Sequence, residues 1–107
     1  MSNWIKQGDA YAIPVSIKLN GEYVNVADID TVEFYVGDTR KLYPGDVRYS
    51  AVDGCFYIPL SQAETFGFPA DDAVAVDARV KFSGGDIMGV KAKQYIPVYD
   101  ATSEVEI

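Results

Sequence analysis

The sequence predicts an all-β domain on three observations. Apolar residues recur at every second position in several separate segments, clusters of Gly, Asn, Asp and Pro punctuate those segments at short intervals, and one place alone carries a helix start signal. From Tyr11 to Leu19 the apolar positions are Tyr11, Ile13, Val15, Ile17 and Leu19, a period of two that predicts a half-buried strand. Asn20-Gly21 follows, a pair that tolerates the positive φ angles of a tight hairpin, so Glu22 to Asn25 is expected to return as a short strand. Asp28-Ile29-Asp30 reads as a loop. After it Val32, Phe34 and Val36 alternate with Thr31, Glu33 and Tyr35 until Gly37-Asp38 stops the run.

Shorter strands are expected at Arg40 to Tyr43 and Val47 to Ser50, joined by Pro44-Gly45-Asp46, whose Pro-Gly pair suits a type II turn. Val52-Asp53-Gly54 is another turn. Cys55 to Leu60 then reads as a strand with Phe56, Ile58 and Leu60 on one side. Ser61 and Glu64 have capping-box spacing, which predicts about one helical turn ended by Gly67. The last third reads as a long hairpin. Val74, Val76, Ala78, Val80 and Phe82 share a face of its first arm, and Met88, Val90, Ala92, Ile96 and Val98 a face of its second. Equal parity across the arms implies a three-residue loop at Gly84-Gly85-Asp86, with Phe82 opposite Met88, Arg79 opposite Lys91 and Asp77 opposite Lys93. About seven strands with one helical turn, in 107 residues without repeats or a linker, match an antiparallel immunoglobulin-like β-sandwich forming a single domain over residues 1–107. Pro14, Pro59 and Pro97 fall inside predicted strands, where a missing N–H is tolerated at an edge or a bulge.

Composition narrows function by exclusion. The net charge of -7 opposes binding to a phosphate backbone, so nucleic acid is not an expected partner. No run of about 18 apolar residues and no signal-peptide pattern at Met1 to Gly8 is present, so neither membrane insertion nor export is expected, and synthesis in the cytoplasm is the simpler reading. The single cysteine, Cys55, has no intramolecular mate for a disulfide. Histidine is absent, which removes the commonest general base and transition-metal ligand. Asp28-Ile29-Asp30 begins like a calcium loop but lacks the glycine at position six and the glutamate at position twelve. Most other aspartates sit at predicted turns, where turn chemistry accounts for them. No catalytic activity, metal or cofactor is expected.

Aromatic and basic residues are the candidates for binding. By strand parity Phe34, Phe56 and Phe82 face the core, while Tyr35, Tyr57, Tyr95 and Tyr99 face outward, the placement in which tyrosines supply protein contact area. Trp4 precedes the first strand as an anchor into the core or a neighbour. Arg79, Lys81, Lys91 and Lys93 are expected to form a basic stripe on an acidic protein, either a solvated face or a docking surface for an acidic partner. The C-terminal segment still alternates, with Val105 and Ile107 apolar and Glu104 and Glu106 charged, as a strand must if it is to add to a sheet edge.

Four stretches carry a resemblance: Lys6-Gln7-Gly8-Asp9 before an alternating strand, Val32 to Gly37, Gly54 to Ser61 with Glu64, and Val80-Lys81-Phe82 ahead of Gly84-Gly85. In that order and spacing the chain resembles small phage and prophage structural proteins, in particular the N-terminal immunoglobulin-like domain of the phage baseplate upper protein. The resemblance implies a virion or tail building block that acts through contacts with copies of itself or with other virion proteins. The stalk and receptor-binding domain of that family's longer members have no counterpart up to Ile107, so an accessory or assembly role is an equal expectation. A carbohydrate-binding or adhesion module is the alternative, since sandwich domains present aromatic platforms to sugars.

Overall fold

Alternation of side chains is realised in a mostly β domain whose two larger sheets contribute buried residues to one apolar cluster. The computed structural model describes residues 4–103 and 105–107; the reading of residues 1–3 as part of a non-signal start, and of Glu104 as part of the alternating tail, lies outside the described residues. The larger sheet contains β1 (Ile5–Lys6), β5 (Ile29–Val36), β6 (Thr39–Tyr43), β9 (Asp72–Phe82), β10 (Ile87–Gly89) and β11 (Gln94–Tyr99). Its strand order is β1-β11-β9-β5-β6, with β10 continuing beside β9. The smaller sheet is β2 (Tyr11–Val15), β8 (Cys55–Leu60) and β7 (Arg48–Ser50), in the order β2-β8-β7. A separate hairpin joins β3 (Lys18–Leu19) to β4 (Glu22–Tyr23). All pairings are antiparallel except β1 with β11, where Ile5 lies beside Val98, so the expected wholly antiparallel arrangement does not extend to the start of the chain.

The inward stripes of β2, β5, β8 and β9 foreseen by parity are largely buried, whereas the stripe expected on the second arm of the last hairpin is not. Val98 alone of it is buried and Val90 and Ile96 are half-buried; Met88 in the short β10 and Ala92 in the irregular segment after it are exposed because no strand of the smaller sheet covers them. Val32, Phe34 and Val36 of β5 and Val74, Val76, Ala78 and Val80 of β9 meet Ile13 and Val15 of β2 and Phe56, Ile58 and Leu60 of β8 in one cluster. Phe56 is the centre of its aromatic part, with ring centroids 5.5 Å from Phe34, 5.1 Å from Tyr43 and 4.9 Å from Tyr49. Phe82 is only partly buried against this cluster. Cys55 is buried, its Sγ 3.3 Å from Ser16 Oγ.

Local sequence fixes the turns. Asn20 and Gly21 both take positive φ, 54° and 82°, the two-residue type I′ arrangement that lets β3 and β4 pair. Helix α1 (Gln62–Phe66) has the complete capping box, Glu64 N–H donating to Ser61 Oγ at 3.1 Å and Ser61 N–H to Glu64 Oε1 at 2.8 Å. Burial alone would push the Glu64 carboxyl up, but the Ser61 amide and the Lys41 ammonium, 3.0 Å from Oε2, outweigh it and hold it below its ordinary range.

Several expectations are corrected. The single strand from Tyr11 to Leu19 is two strands, because β2 outruns its partner once β8 reaches the turn at residues 51–54; Ile17 still enters the core. Asp28-Ile29-Asp30 is not a loop. A 3-10 turn, Val26–Asp28, with Asn25 as its cap, leads into β5, and the register slips between Ile29 and Thr31. Gly45 has no positive φ, so Pro44-Gly45 does not form a type II turn; the Tyr43–Pro44 peptide is cis, and the amides of Asp46 and Val47 both donate to the Leu42 carbonyl. The expected count of about seven strands rises to eleven among the described residues, because the long runs are divided.

The final hairpin keeps equal parity but not the expected register. Met88 lies opposite Val80 and Gly89 opposite Arg79, around a loop at Ser83-Gly84-Gly85. Neither Phe82 with Met88 nor Arg79 with Lys91 is a pair. Farther along, Gln94 lies opposite Val76 and Ile96 opposite Val74. Val90 N–H bonds the Ala78 carbonyl at 3.0 Å, so Lys91, Ala92 and Lys93 together stand against the single residue Asp77. The second arm is therefore broken into β10 and β11 by an irregular segment.

Candidate functional site

Sheets that share a core need not join at their margins, and here two strand margins flank an open slot. On one side is β2, which pairs only with β8. Pro14 and Pro59 cannot donate, and they fall in the pairs Pro14 with Tyr57 and Ala12 with Pro59, so the ladder bonds run through Tyr11, Ile13 and Val15. Ala12 consequently turns its N–H and C=O away from β8, and Pro14 turns its carbonyl the same way. On the other side is β11. Pro97 cannot donate to Ala73, and the Ala75 carbonyl is taken by Gly37 N–H at 2.8 Å, so β11 bonds β9 through Gln94, Ile96 and Val98. Tyr95 turns its N–H and C=O outward. Strand β1 covers only Val98 and Tyr99 of that margin. Among the described residues no backbone bond takes up the outward groups of Ala12 or Tyr95.

The slot comprises two adjacent clefts. A cleft of about 430 Å³ lies among Trp4, Tyr11, Pro14, Tyr95 and Ile96. A second, of about 380 Å³, is lined by Val15 to Lys18 on one side and by Val90, Lys91, Ala92 and Gln94 on the other, with Val76 and Ala78 contributing to its lining. Gln94 borders both. Aromatic side chains frame the first part. Tyr95 is 68 % exposed, and Trp4 meets Tyr99 edge to face with centroids 5.7 Å apart. Tyr11 was expected in the core stripe; instead it is 37 % exposed and its hydroxyl donates to the Trp4 carbonyl at 2.9 Å. Burial, and then the Asp9 carboxylate, push its phenol above the ordinary tyrosine range. Tyr11 overhangs the core because it opens β2 directly after the Lys6–Asp9 turn, and sequence parity alone did not separate it from Ile13.

The basic stripe is divided. Arg79 donates to Glu33 Oε1 at 2.8 Å, Arg40 donates to Glu33 Oε2 at 2.8 Å, and Lys81 lies 3.8 Å from Asp30, so carboxylates on β5 neutralise this half of it. Hydrogen bonds from Arg40 and then Arg79 hold the Glu33 carboxyl below its ordinary range. A lowered carboxyl contributes stability in full above its unfolded pKa, and that contribution is lost as pH falls through the folded value. Lys91 and Lys93 belong to the irregular segment beside the slot and have no carboxylate within 4 Å among the described residues. Lys18, on the opposite wall, has none either and lies 4.6 Å from the Tyr23 ring centroid.

The remaining candidates are scattered. Tyr35 is 38 % exposed on the outer face of β5, away from the slot, beside a shallow depression that Glu33 and Arg79 also line. Tyr57 is half-buried on the outer face of the smaller sheet, with Arg48 4.2 Å over its ring. Its hydroxyl donates to Asp53, which, ahead of burial, pushes its phenol above the ordinary range. Beyond Asp100 no strand forms among the described residues. Val105 is 74 % exposed, Ile107 is fully exposed, and the Ile107 N–H bonds Gln62 Oε1 at 3.1 Å. The structure thus brings Tyr95 and Lys91 to the slot with Trp4 and Tyr11, sets Tyr99 against the Trp4 ring outside its lining, and leaves Tyr35, Tyr57, Arg79 and Lys81 elsewhere.

No group of three or more acidic or cysteine side chains among the described residues is placed to hold a metal ion, and no helix is long and apolar enough to cross a membrane. Fold and surface define an all-β domain with an aromatic, strand-flanked slot. Comparison with protein-family models, with curated proteins and with solved structures gives no match.

Proposed function

We propose that the chain is an immunoglobulin-like β-sandwich that serves, without catalysis, as a structural or assembly module of a phage or prophage particle, made in the cytoplasm and acting through protein-protein contacts. The observation that carries this reading is the slot, where outward amides of Ala12 and Tyr95 stand beside the exposed rings of Trp4 and Tyr95. Open strand edges recruit other chains by main-chain hydrogen bonding, and neighbouring tyrosine and tryptophan add contact area at low entropic cost. The four stretches that resemble phage and prophage structural proteins support a tail or assembly role for it. Mass spectrometry of purified particles produced from the encoding genome tests this: the chain is expected in them at a fixed copy number, and its absence from them overturns the reading.

A carbohydrate-binding role is the second reading, favoured by the convergence of Trp4, Tyr11 and Tyr95 on one cleft. It calls for quenching or enhancement of Trp4 fluorescence by an oligosaccharide.

A further inference from the structure

We infer that the slot between β2 and β11 is the acceptor for an extended, acidic and alternating segment, and that the occupant is the C-terminal segment of a second copy of this chain, residues 101–107; the inference rests on the assembly reading above. Three features of the slot point to such a guest. First, its walls offer main-chain partners on both sides, Ala12 and Pro14 from β2 and Tyr95 from β11, as a strand requires when it adds to an edge. Second, the core residues Val76 and Ala78 and the half-buried Val90 line its inner part, so alternate apolar side chains of a guest have apolar surface to meet. Third, Lys18 and Lys91 both line it, with Lys93 two residues on, and none has a carboxylate partner among the described residues.

The C-terminal segment is complementary in each respect. Val105 and Ile107 are exposed and alternate in sequence with Glu104 and Glu106. Seven residues in extended form span about 23 Å, close to the roughly 26 Å spanned by the segment from Tyr11 to Lys18, seven of whose eight residues line the slot. The segment of the same chain leaves β11 beside β1 and is drawn toward α1 by the bond from Ile107 to Gln62, whereas Lys18 and Lys91 stand at the other end of the slot. A second copy supplies it without that reversal.

Two full-length variants test the arrangement by sedimentation equilibrium: one with Lys18→Glu and Lys91→Glu, the other with Glu104→Lys and Glu106→Lys. Lys18, Lys91 and Glu106 are exposed and all four side chains are charged, so circular dichroism of each variant is expected to match that of the unaltered chain. Each variant alone is expected to self-associate about tenfold more weakly than the unaltered chain or worse, while an equimolar mixture recovers association through the reversed slot and reversed segment. Self-association of the unaltered chain that both variants keep at full strength overturns the slot and leaves assembly through another face standing. An unaltered chain that stays monomeric at millimolar concentration overturns the second copy as occupant, and the particle test then judges the assembly reading by itself.

Discussion

Replacing Phe56 by alanine is expected to lower the free energy of unfolding by about 3–5 kcal/mol, the range for removing a buried phenylalanine without collapse of the site around it. Phe56 is the site where both sheets depend on one ring. It packs on Phe34 from the larger sheet and on Tyr43 and Tyr49, which lie on either side of the chain's passage from β6 to β7. The cavity would be lined by rings fixed in strands, which cannot close on it. Against a typical total of about 5–15 kcal/mol, the variant would retain a minor part of its stability. Urea denaturation followed by tyrosine and tryptophan fluorescence reads this as a large fall in midpoint with little change in slope; a midpoint within about 1 kcal/mol of the unaltered chain would mean that the sheets do not meet at this ring.

The second large effect is expected at Thr65, a fully buried polar side chain. Its Oγ1 donates to the Asp9 carbonyl at 2.8 Å and accepts from Gly8 N–H at 3.0 Å, so a single hydroxyl in α1 ties down the turn between β1 and β2. Gly8 has a φ of 88°, and a Cβ there would come within 2.9 Å of the Phe66 ring, which is why the turn can approach the helix so closely. Thr65→Val keeps the shape and removes both bonds, leaving the half-buried Gly8 N–H and Asp9 carbonyl without this partner at a combined cost of about 1–3 kcal/mol. Thr65→Ser keeps the hydroxyl and loses a methyl, so it should cost about 1 kcal/mol. If the two variants are equally stable by denaturation, the hydroxyl does not hold the turn.

How much of this was legible beforehand depended on the range of the signal. Alternation found Val32, Phe34 and Val36, and likewise Phe56, Ile58 and Leu60, because burial of one sheet face imposes a period of two whatever the partner strand is. The capping box at Ser61 and Glu64 and the turn at Asn20-Gly21 are local chemistry, complete within four residues. The slot is different. Pro14 and Pro59 reveal which amides of β2 face outward only once β2 is known to pair with β8, and Pro97 does so only beside β9. Sequence parity also extended the second arm of the last hairpin through Lys91 to Lys93, since nothing in that stretch announces that three residues will stand against Asp77. The same irregularity separates Lys91 and Lys93 from Arg79 and Lys81, so a stripe expected to be continuous is half neutralised and half available. Tyr11 shows the limit at a strand end, where correct parity places a side chain on the inner face but beyond the edge of the core.

Amide hydrogen exchange of the full chain, read residue by residue in dilute and in concentrated solution, is the most direct measurement of whether this slot is where the protein assembles. The Ala12 and Tyr95 amides, which have no ladder partner among the described residues, are expected to exchange freely when dilute and to slow together by at least about tenfold on association, while the interior amides of β5 and β9 are unchanged. Fast exchange at both positions in a solution whose particle mass has demonstrably risen would contradict assembly through the slot.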